Sequence, residues 1–413
     1  MKKYFTLLFF SLFFLSAFSQ TRYVDSLFTA TRHADIEYGQ NVDNQDSLWH
    51  LLMDVYEPTS DTAQLRPIIF FVHGGSFIGG DRNDQSLNKT AQFFTKKGYV
   101  TANIEYRLEQ SRLATAYLNF ADANNWYRAI TRATQDLKAA IRYIKKDVAT
   151  NGNQYKVDTT KIFIYGSSAG AITALHTAYL DDTAEMRNSV FKSSYRALGG
   201  LDGNSGNPGY SLSGIKAIIS CSGAIQSPDW LSNNTDIAYL AFHNTIDPVV
   251  PFDIGCFDVV ACWLGYFNGG NKIYPKTRSL GMKSEFYPIN SVGHPSDQVS
   301  DTATHRLVWE KTTSFLYSIL NPSIVTSIRN NTVNNIELFP NPSDGNFNIN
   351  IPREIRSKNV MLDIVNMEGQ QVYSVSVNNK EFIQLHVDLP NGLYMLSITS
   401  DEQNYLSKIT ISK

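Results

Sequence analysis

An α/β domain followed by a small all-β sandwich is the fold class this sequence predicts. Three observations predict it: continuous apolar runs of strand length at residues 67–72, 162–165 and 237–242 with a further strand at 99–104, helix-forming stretches between them, and a change to closely spaced strand-like runs alone after residue 335. Runs that are apolar on both faces suit strands buried in a mostly parallel sheet with helices on both sides. Strands alternating with helices, then strands only, separate into two domains. At 413 residues, 43% of them apolar, the chain has room for one large and one small core.

The run at 162–165 leads into Gly166-Ser167-Ser168-Ala169-Gly170 and then into a helix-prone stretch at 171–180. This is a strand, a tight turn and a helix with a serine at the apex, the arrangement that lifts a nucleophile above a sheet edge. Such a turn presses backbone against backbone, so the positions two before and two after Ser168 must nearly lack side chains. The run at 67–72 ends in His73-Gly74-Gly75-Ser76-Phe77, with Gly79-Gly80 after it. Glycines there let backbone N–H groups turn toward a ligand, as stabilising an oxyanion requires.

A nucleophilic serine needs a base and a carboxylate that orients it, and in this kind of fold they follow in the order Ser, Asp or Glu, His. The strand at 237–242 is followed by His243 and then Asp247; the strand at 285–289 is followed by Gly293-His294. His33, His50 and His73 precede Ser168, His176 closely follows it, and His386 lies in the second domain. His243 precedes the carboxylate and reads as a packing or loop-ordering residue, and His305 falls in a helical stretch. His294 alone meets order, strand-end position and loop context together. Asp253 and Asp258 compete with Asp247, which is preferred because it lies nearest the strand end.

On these residues the stretch from about 45 to 320 resembles an α/β-hydrolase of the carboxylesterase and lipase kind. The matching pieces are His73 to Phe77, Tyr106-Arg107-Leu108, Asp136, Gly166 to Gly170, Asp247 with Pro251, and Gly293-His294. The resemblance implies a Ser168, Asp247, His294 triad, an oxyanion hole from the backbone N–H groups of Gly75, Ser76 and Ala169, and hydrolysis of a carboxylic ester without metal or organic cofactor. Ser76 stands where many relatives carry a third glycine. A backbone donor survives that change, while the acyl pocket narrows.

The chain ends bear on location. Met1-Lys2-Lys3, an apolar stretch at 4–15 and small residues at 16–20 read as a signal peptide cleaved after Ser19, too short to span a bilayer of roughly 20 helical residues. No later stretch is long and apolar enough to span one, so no integral membrane segment is expected after removal. The expected organisation is a signal peptide at 1–19, a catalytic domain at 20–320, a linker rich in Asn, Ser and Thr at 321–334, and a β-sandwich at 335–413. The last of these resembles the C-terminal sorting domain of the type IX (Por) secretion system of Bacteroidetes, through Phe339-Pro340-Asn341-Pro342, Gly345 with Phe347, residues 366–369, and Leu389 with Gly392-Leu393-Tyr394. That resemblance implies the secretion machinery as partner, export through the periplasm, and a secreted or surface-attached protein.

A net charge of −2 gives no electrostatic case for nucleic acid. With three cysteines a disulfide scaffold is excluded; Cys256 and Cys262 either close a short loop or stay free, leaving Cys221 as a small buried apolar residue. Residues 181–213 and 115–127 are expected at the rim of the cleft, the second with Tyr117, Phe120, Trp126 and Tyr127. Acetyl, feruloyl, short-chain acyl and aryl polyester substrates stay open. Two other functions are kept: a serine peptidase of the prolyl-oligopeptidase type, weakened by the lack of a propeller-like domain, and an inert hydrolase fold serving as a binding or adhesive protein, weakened because every triad position is filled.

Overall fold

The structure is a computed structural model that describes residues 20–109, 123–186, 188–259, 261–297, 302–321, 334–351, 355–356, 359–366, 371–378, 380–399 and 404–413. The expected signal peptide, most of the expected linker, and residues 115–122 with Tyr117 and Phe120 lie outside the described residues. Two compact units divide between Leu320 and Asn321.

In chain order the first unit contains β1 (Thr29–Val42), β2 (Leu48–Thr59), β3 (Arg66–Val72), α1 (Gln85–Thr95), β4 (Val100–Ile104), α2 (Ala123–Thr150), β5 (Val157–Ser167), α3 (Ala169–Tyr179), α4 (Ser189–Ala197) and β6 (Ile215–Cys221). It continues with β7 (Ala224–Ile225), β8 (Ala238–Ile246), β9 (Ile254–Gly255), β10 (Phe267–Gly269), α5 (Gly270–Ser279), β11 (Ser284–Val292) and α6 (Thr302–Leu320). Among the described residues eight strands form the main sheet, in the order β1-β2-β4-β3-β5-β6-β8-β11. The strands from β4 to β11 pair in parallel, and the antiparallel pairs β1/β2 and β2/β4 extend one edge. The sheet thus begins at Thr29, ahead of residue 45, where the resemblance to hydrolases starts.

Every residue of β3 is buried. Because successive side chains point to opposite faces, Ile68, Phe70 and Val72 pack into a core shared with α2 and α3, while Ile69 and Phe71 pack into a second core with α1 and α6. Helix α2 turns Ile130, Ala133, Leu137, Ala140 and Ile144 toward the sheet at spacings of three and four, the period of one helix face. The result is a three-layer sandwich of helices, sheet and helices, with the strand ends that carry the candidate residues all at one edge.

The second unit holds β12 (Asn334–Asn335), β13 (Glu337–Phe339), β14 (Asn346–Asn350), β15 (Asn359–Val365), β16 (Gln371–Asn378), β17 (Phe382–His386), β18 (Gly392–Thr399) and β19 (Asn404–Ile411). They form two sheets, β12-β19-β18-β15-β16 and β13-β14-β17. Alternate residues such as Phe347 and Ile349 from one sheet and Leu362, Ile364, Leu396 and Ile398 from the other share one core. The Asn341 side chain fastens the turn ahead of β14 to the last strand: its amide donates to Lys408 O and its oxygen accepts from Thr410 N–H, both at 2.8 Å.

Candidate active site

Ser168 sits between β5 and α3 at φ 54°, a left-handed conformation that a residue with a Cβ occupies only under strain. The steric demand read from the sequence is met on both sides. A Cβ at Gly166 would stand 2.3 Å from Gly170 O, and one at Gly170 would stand 2.0 Å from Val72 O. The Ser168 N–H donates to Cys221 O at 2.8 Å, and its carbonyl accepts the first bonds of α3 from Ala171 and Ile172.

From the ends of β8 and β11 the structure brings Asp247 and His294 to this serine. Ser168 Oγ donates to His294 Nε2 at 2.6 Å, and His294 Nδ1–H donates to Asp247 Oδ2 at 2.7 Å. The Asp247 side chain is fully buried. Burial alone would raise its pKa, but hydrogen bonds from His243 and His294, attraction to the His294 ring and the Val249 N–H outweigh it and hold the carboxyl below the ordinary range. Its Oδ1 accepts from the N–H groups of Val249 and Val250 at 2.9 and 3.0 Å. The competing Asp253 pairs with Lys272 at 3.3 Å and is half-exposed, while Asp258 lines the cavity without joining this chain of bonds.

Two further groups hold the arrangement: His243, read from the sequence as a packing or loop-ordering residue, and Asp297, which the sequence did not mark. Buried His243 places Nε2 3.2 Å from Val250 O and 3.4 Å from Asp247 Oδ2, while its Nδ1 accepts from Gly270 N–H at 3.4 Å. That acceptor places the ring proton on Nε2, so Asp247 faces a donor on both sides. The other group is Asp297, fully buried, whose carboxylate accepts from Ser167 Oγ at 2.7 Å and from Tyr165 OH at 2.9 Å. Its carbonyl accepts from His305 Nε2 at 2.6 Å, and neighbouring Ser296 bonds Ser222 Oγ and Phe242 O. These contacts tie the loop that carries His294 to the residue preceding Ser168. His243 precedes Asp247 by four residues, a hint the sequence did offer; nothing local marks Asp297.

Gly75, Ser76 and Ala169 border the same cavity as Ser168. Gly75 lies at φ 109°, where a Cβ would meet Gly79 O at 2.1 Å, and Ser76 and Phe77 follow at φ 52° and 62°. His73 supports this loop from beneath. Its ring stacks on Tyr106 at 4.2 Å and its Nδ1–H donates to Gly74 O at 2.7 Å. Burial pushes its pKa down to about 4, so His73 is a neutral strut. Tyr106 OH donates to His73 O at 3.0 Å, and the adjoining Arg107 forms a buried bidentate pair with Asp136 on α2.

The cavity measures about 650 Å³, within the range of small-molecule sites. Its apolar walls come from Phe77, Trp126, Ile172 and, on the far side, from residues 249–264 with Phe257, Trp263 and Leu264. A Cys256–Cys262 disulfide closes this last segment, while Cys221 is free and buried. The rim expected at residues 181–213 is therefore corrected. No described residue of that stretch borders the cavity; its helix α4 packs on α2, with Phe191 stacked on Tyr127 at 4.7 Å. Of the aromatics described in the other expected rim segment, Trp126 lines the cavity and Tyr127 is buried, donating to Leu264 O at 2.5 Å.

Comparison with known proteins finds matches to both units. Residues 53–245 match the BD-FAE family, and residues 337–412 match Por_Secre_tail, the secretion system C-terminal sorting domain. A non-reducing polyketide synthase, atr1, of Stereocaulon alpinum is 33% identical over 138 residues, covering 31% of this chain and 5% of its own length. Carboxylesterase 3B of Mus musculus is 27% identical over 123 residues, covering 30% of this chain and 19% of its own. The chain thus spans no more than 19% of the length of these curated relatives. A solved thermophilic esterase of the planctomycete Thermogutta terrifontis aligns at 19% identity over 70% of this chain and 92% of that one, with a TM-score of 0.46.

By fold and sequence, then, the chain carries an α/β-hydrolase domain that matches the BD-FAE family over residues 53–245. Behind it comes a sorting domain for type IX secretion, which directs the protein to the cell surface or outside.

Proposed function

We propose that this protein is a secreted serine carboxylic ester hydrolase in which Ser168 is the nucleophile, His294 the general base and acid, and Asp247 the group that orients and charges the base. The observation that carries it is the unbroken chain Ser168 Oγ, His294, Asp247, at 2.6 and 2.7 Å, opening into an apolar cavity. In acylation His294 Nε2 takes the serine proton as Oγ attacks the carbonyl carbon. The tetrahedral oxyanion is received by the backbone N–H groups of Gly75, Ser76 and Ala169, and collapse expels the alcohol with the proton from His294. Water then attacks the acyl-serine by the same route and releases the acid. Ionised Asp247, flanked by His243 and His294, stabilises the imidazolium at each step.

The apolar walls with Trp126, Phe257 and Trp263 favour an aryl or other bulky acyl group, as in feruloyl or aryl polyester esters, over a bare acetyl group. The domain boundaries we propose are 1–19 for the signal peptide, 20–320 for the hydrolase, 321–334 for the linker and 335–413 for the sorting domain. The test is turnover of 4-nitrophenyl esters, acetate to palmitate and including an aromatic acid, by the wild type and Ser168→Ala. Loss of at least about a thousandfold in kcat for the variant is expected. Serine-independent turnover, or none on any ester, would overturn this reading in favour of a peptidase or a binding protein.

A further inference from the structure

Residues 181–213, displaced from the cleft, help line a second cavity of about 580 Å³. It is lined by the middle of α2, the last turn of α3, the first residues of β6 and the residues just ahead of β8, so it lies at the opposite end of the sheet from Ser168. The length of α3 alone sets the two apart by about 16 Å.

Two groups lining this cavity have no hydrogen-bond partner among the described residues: the buried hydroxyl of Thr177, and the ammonium of Lys138, which reaches the cavity from a residue only 3% exposed. Burial pushes the Lys138 pKa down to about 8, Asp202 and Asp181 pull it back up, and Arg142 lowers it further. The ammonium is thus largely charged at neutral pH, and a charge largely withdrawn from water with no hydrogen-bond acceptor of its own is costly. A ligand atom that accepts a hydrogen bond from it relieves that cost.

The rest of the lining narrows the ligand class. Asp181, Asp202 and Asp236 set against Lys138 and Lys216 give the lining charges of both signs, so that neither an anion nor a cation is favoured. A ligand that fits must be neutral, accept from Lys138 and donate to carboxylates. Aliphatic side chains and the half-buried ring of Tyr210 complete the wall and suit the C–H face of a pyranose. We propose that this cavity binds a neutral polyhydroxylated ligand, a sugar unit of an oligo- or polysaccharide, independently of ester hydrolysis. Where the ester groups hang on such a polymer, the site raises their concentration near Ser168 without touching the reacting atoms.

The test is native electrophoresis of the full chain through gels containing arabinoxylan, β-glucan, galactomannan or polygalacturonate. Retardation by at least one neutral polymer is expected. Lys138→Met and Tyr210→Ala should weaken it about tenfold or more, while melting temperature and 4-nitrophenyl acetate turnover stay near wild type. Tyr210 is half-exposed, so its variant guards against a folding failure at Lys138. Release by xylose or glucose would assign a single-ring site and release only by oligosaccharides a polymer site, both within the proposal. No retardation by any neutral polymer, or equal retardation of wild type and both variants, overturns it; Lys138-dependent retention by polygalacturonate overturns the neutral ligand in favour of an anion. Because the readout is binding, failure here leaves the hydrolase proposal standing, and failure of serine-dependent turnover leaves this one standing.

Discussion

The two units are built largely from strands, yet they place irregular backbone very differently. In the hydrolase unit Ser76, Phe77, Ser168 and Asp258 all hold left-handed conformations, and all four border the cavity. Among the described residues of the sorting unit no residue but glycine does so. Each such residue costs on the order of 1–3 kcal/mol, which persists only where surrounding contacts over-determine it. The same contrast holds for carboxylates. In the hydrolase unit Asp247 and Asp297 are buried among specific donors, whereas in the sorting unit Asp344 and Asp388 are exposed and held below the ordinary range by Asn346 and Lys413. The difference teaches that strain and buried charge belong to the unit whose loops are held in fixed places, four of its twelve described left-handed non-glycine residues lying at the cavity itself, while alternation of apolar residues is enough for a domain whose role is to be recognised.

Four experiments sharpen or break that contrast. The largest effect is expected from Asp247→Asn, which removes the charge facing both His243 and His294 and should lower kcat by about a thousand- to ten-thousandfold with KM little changed. A fall below tenfold would show that another carboxylate, Asp258 first, does this work.

Next comes Asp297→Asn, read in two ways. If Asp297 positions the His294 loop against Ser167, kcat should drop about ten- to hundredfold while KM holds. Stability should move the other way. Burial raises the Asp297 pKa above the usual carboxylate value, more than the hydrogen bonds from Ser167 and Tyr165 lower it. A raised acid supports folding fully below its unfolded value and withdraws that support as pH rises through the folded one. The variant should therefore gain melting temperature relative to wild type as pH is raised from about 4 to 7. A constant difference across that window would leave Asp297 without the buried charge assigned to it.

A smaller effect is expected from replacing Cys256 and Cys262 together by serine. The disulfide closes the loop that carries Phe257 and Asp258, with Trp263 next to it. Loosening that wall should raise KM for 4-nitrophenyl esters of aromatic acids while leaving the acetate within about twofold. Equal effects on both esters would mean that the wall does not contact the acyl group.

Removing residues 335–413 should change kcat/KM least of all, within about twofold, and should abolish passage to the cell exterior, scored by fractionation of the producing cells. Loss of activity in a truncation with an unchanged melting temperature would show that the sorting unit contributes to the active site.

Much of this was legible because its cause is local. Gly166 is demanded by a turn whose atoms lie within five residues, a Cβ there standing 2.3 Å from Gly170 O, and Gly170 by the close approach of Val72 O on the neighbouring strand. The buried parallel strands follow from runs such as β3, apolar on both faces because two cores meet there. In the sorting unit the period of two by itself distinguishes the core-facing residues from the outward ones. The order of Ser168, Asp247 and His294 along the chain was likewise enough to nominate them, since each follows a recognisable strand.

What the tertiary structure alone decided depends on contacts between distant segments. Asp297 meets Ser167 across 130 positions of sequence, and no short-range pattern encodes that approach. Their place directly after α3 made residues 181–213 look like a cleft rim, but α4 packs against α2, Asp181, Asp202 and Tyr210 line the cavity at the far end of the sheet, and the far wall of the Ser168 cavity comes from segment 249–264. Chain order determines which residues can follow a strand end. Which of the many loops closes over the site, and which buried polar groups find partners there, is settled only when every element competes for the same apolar faces.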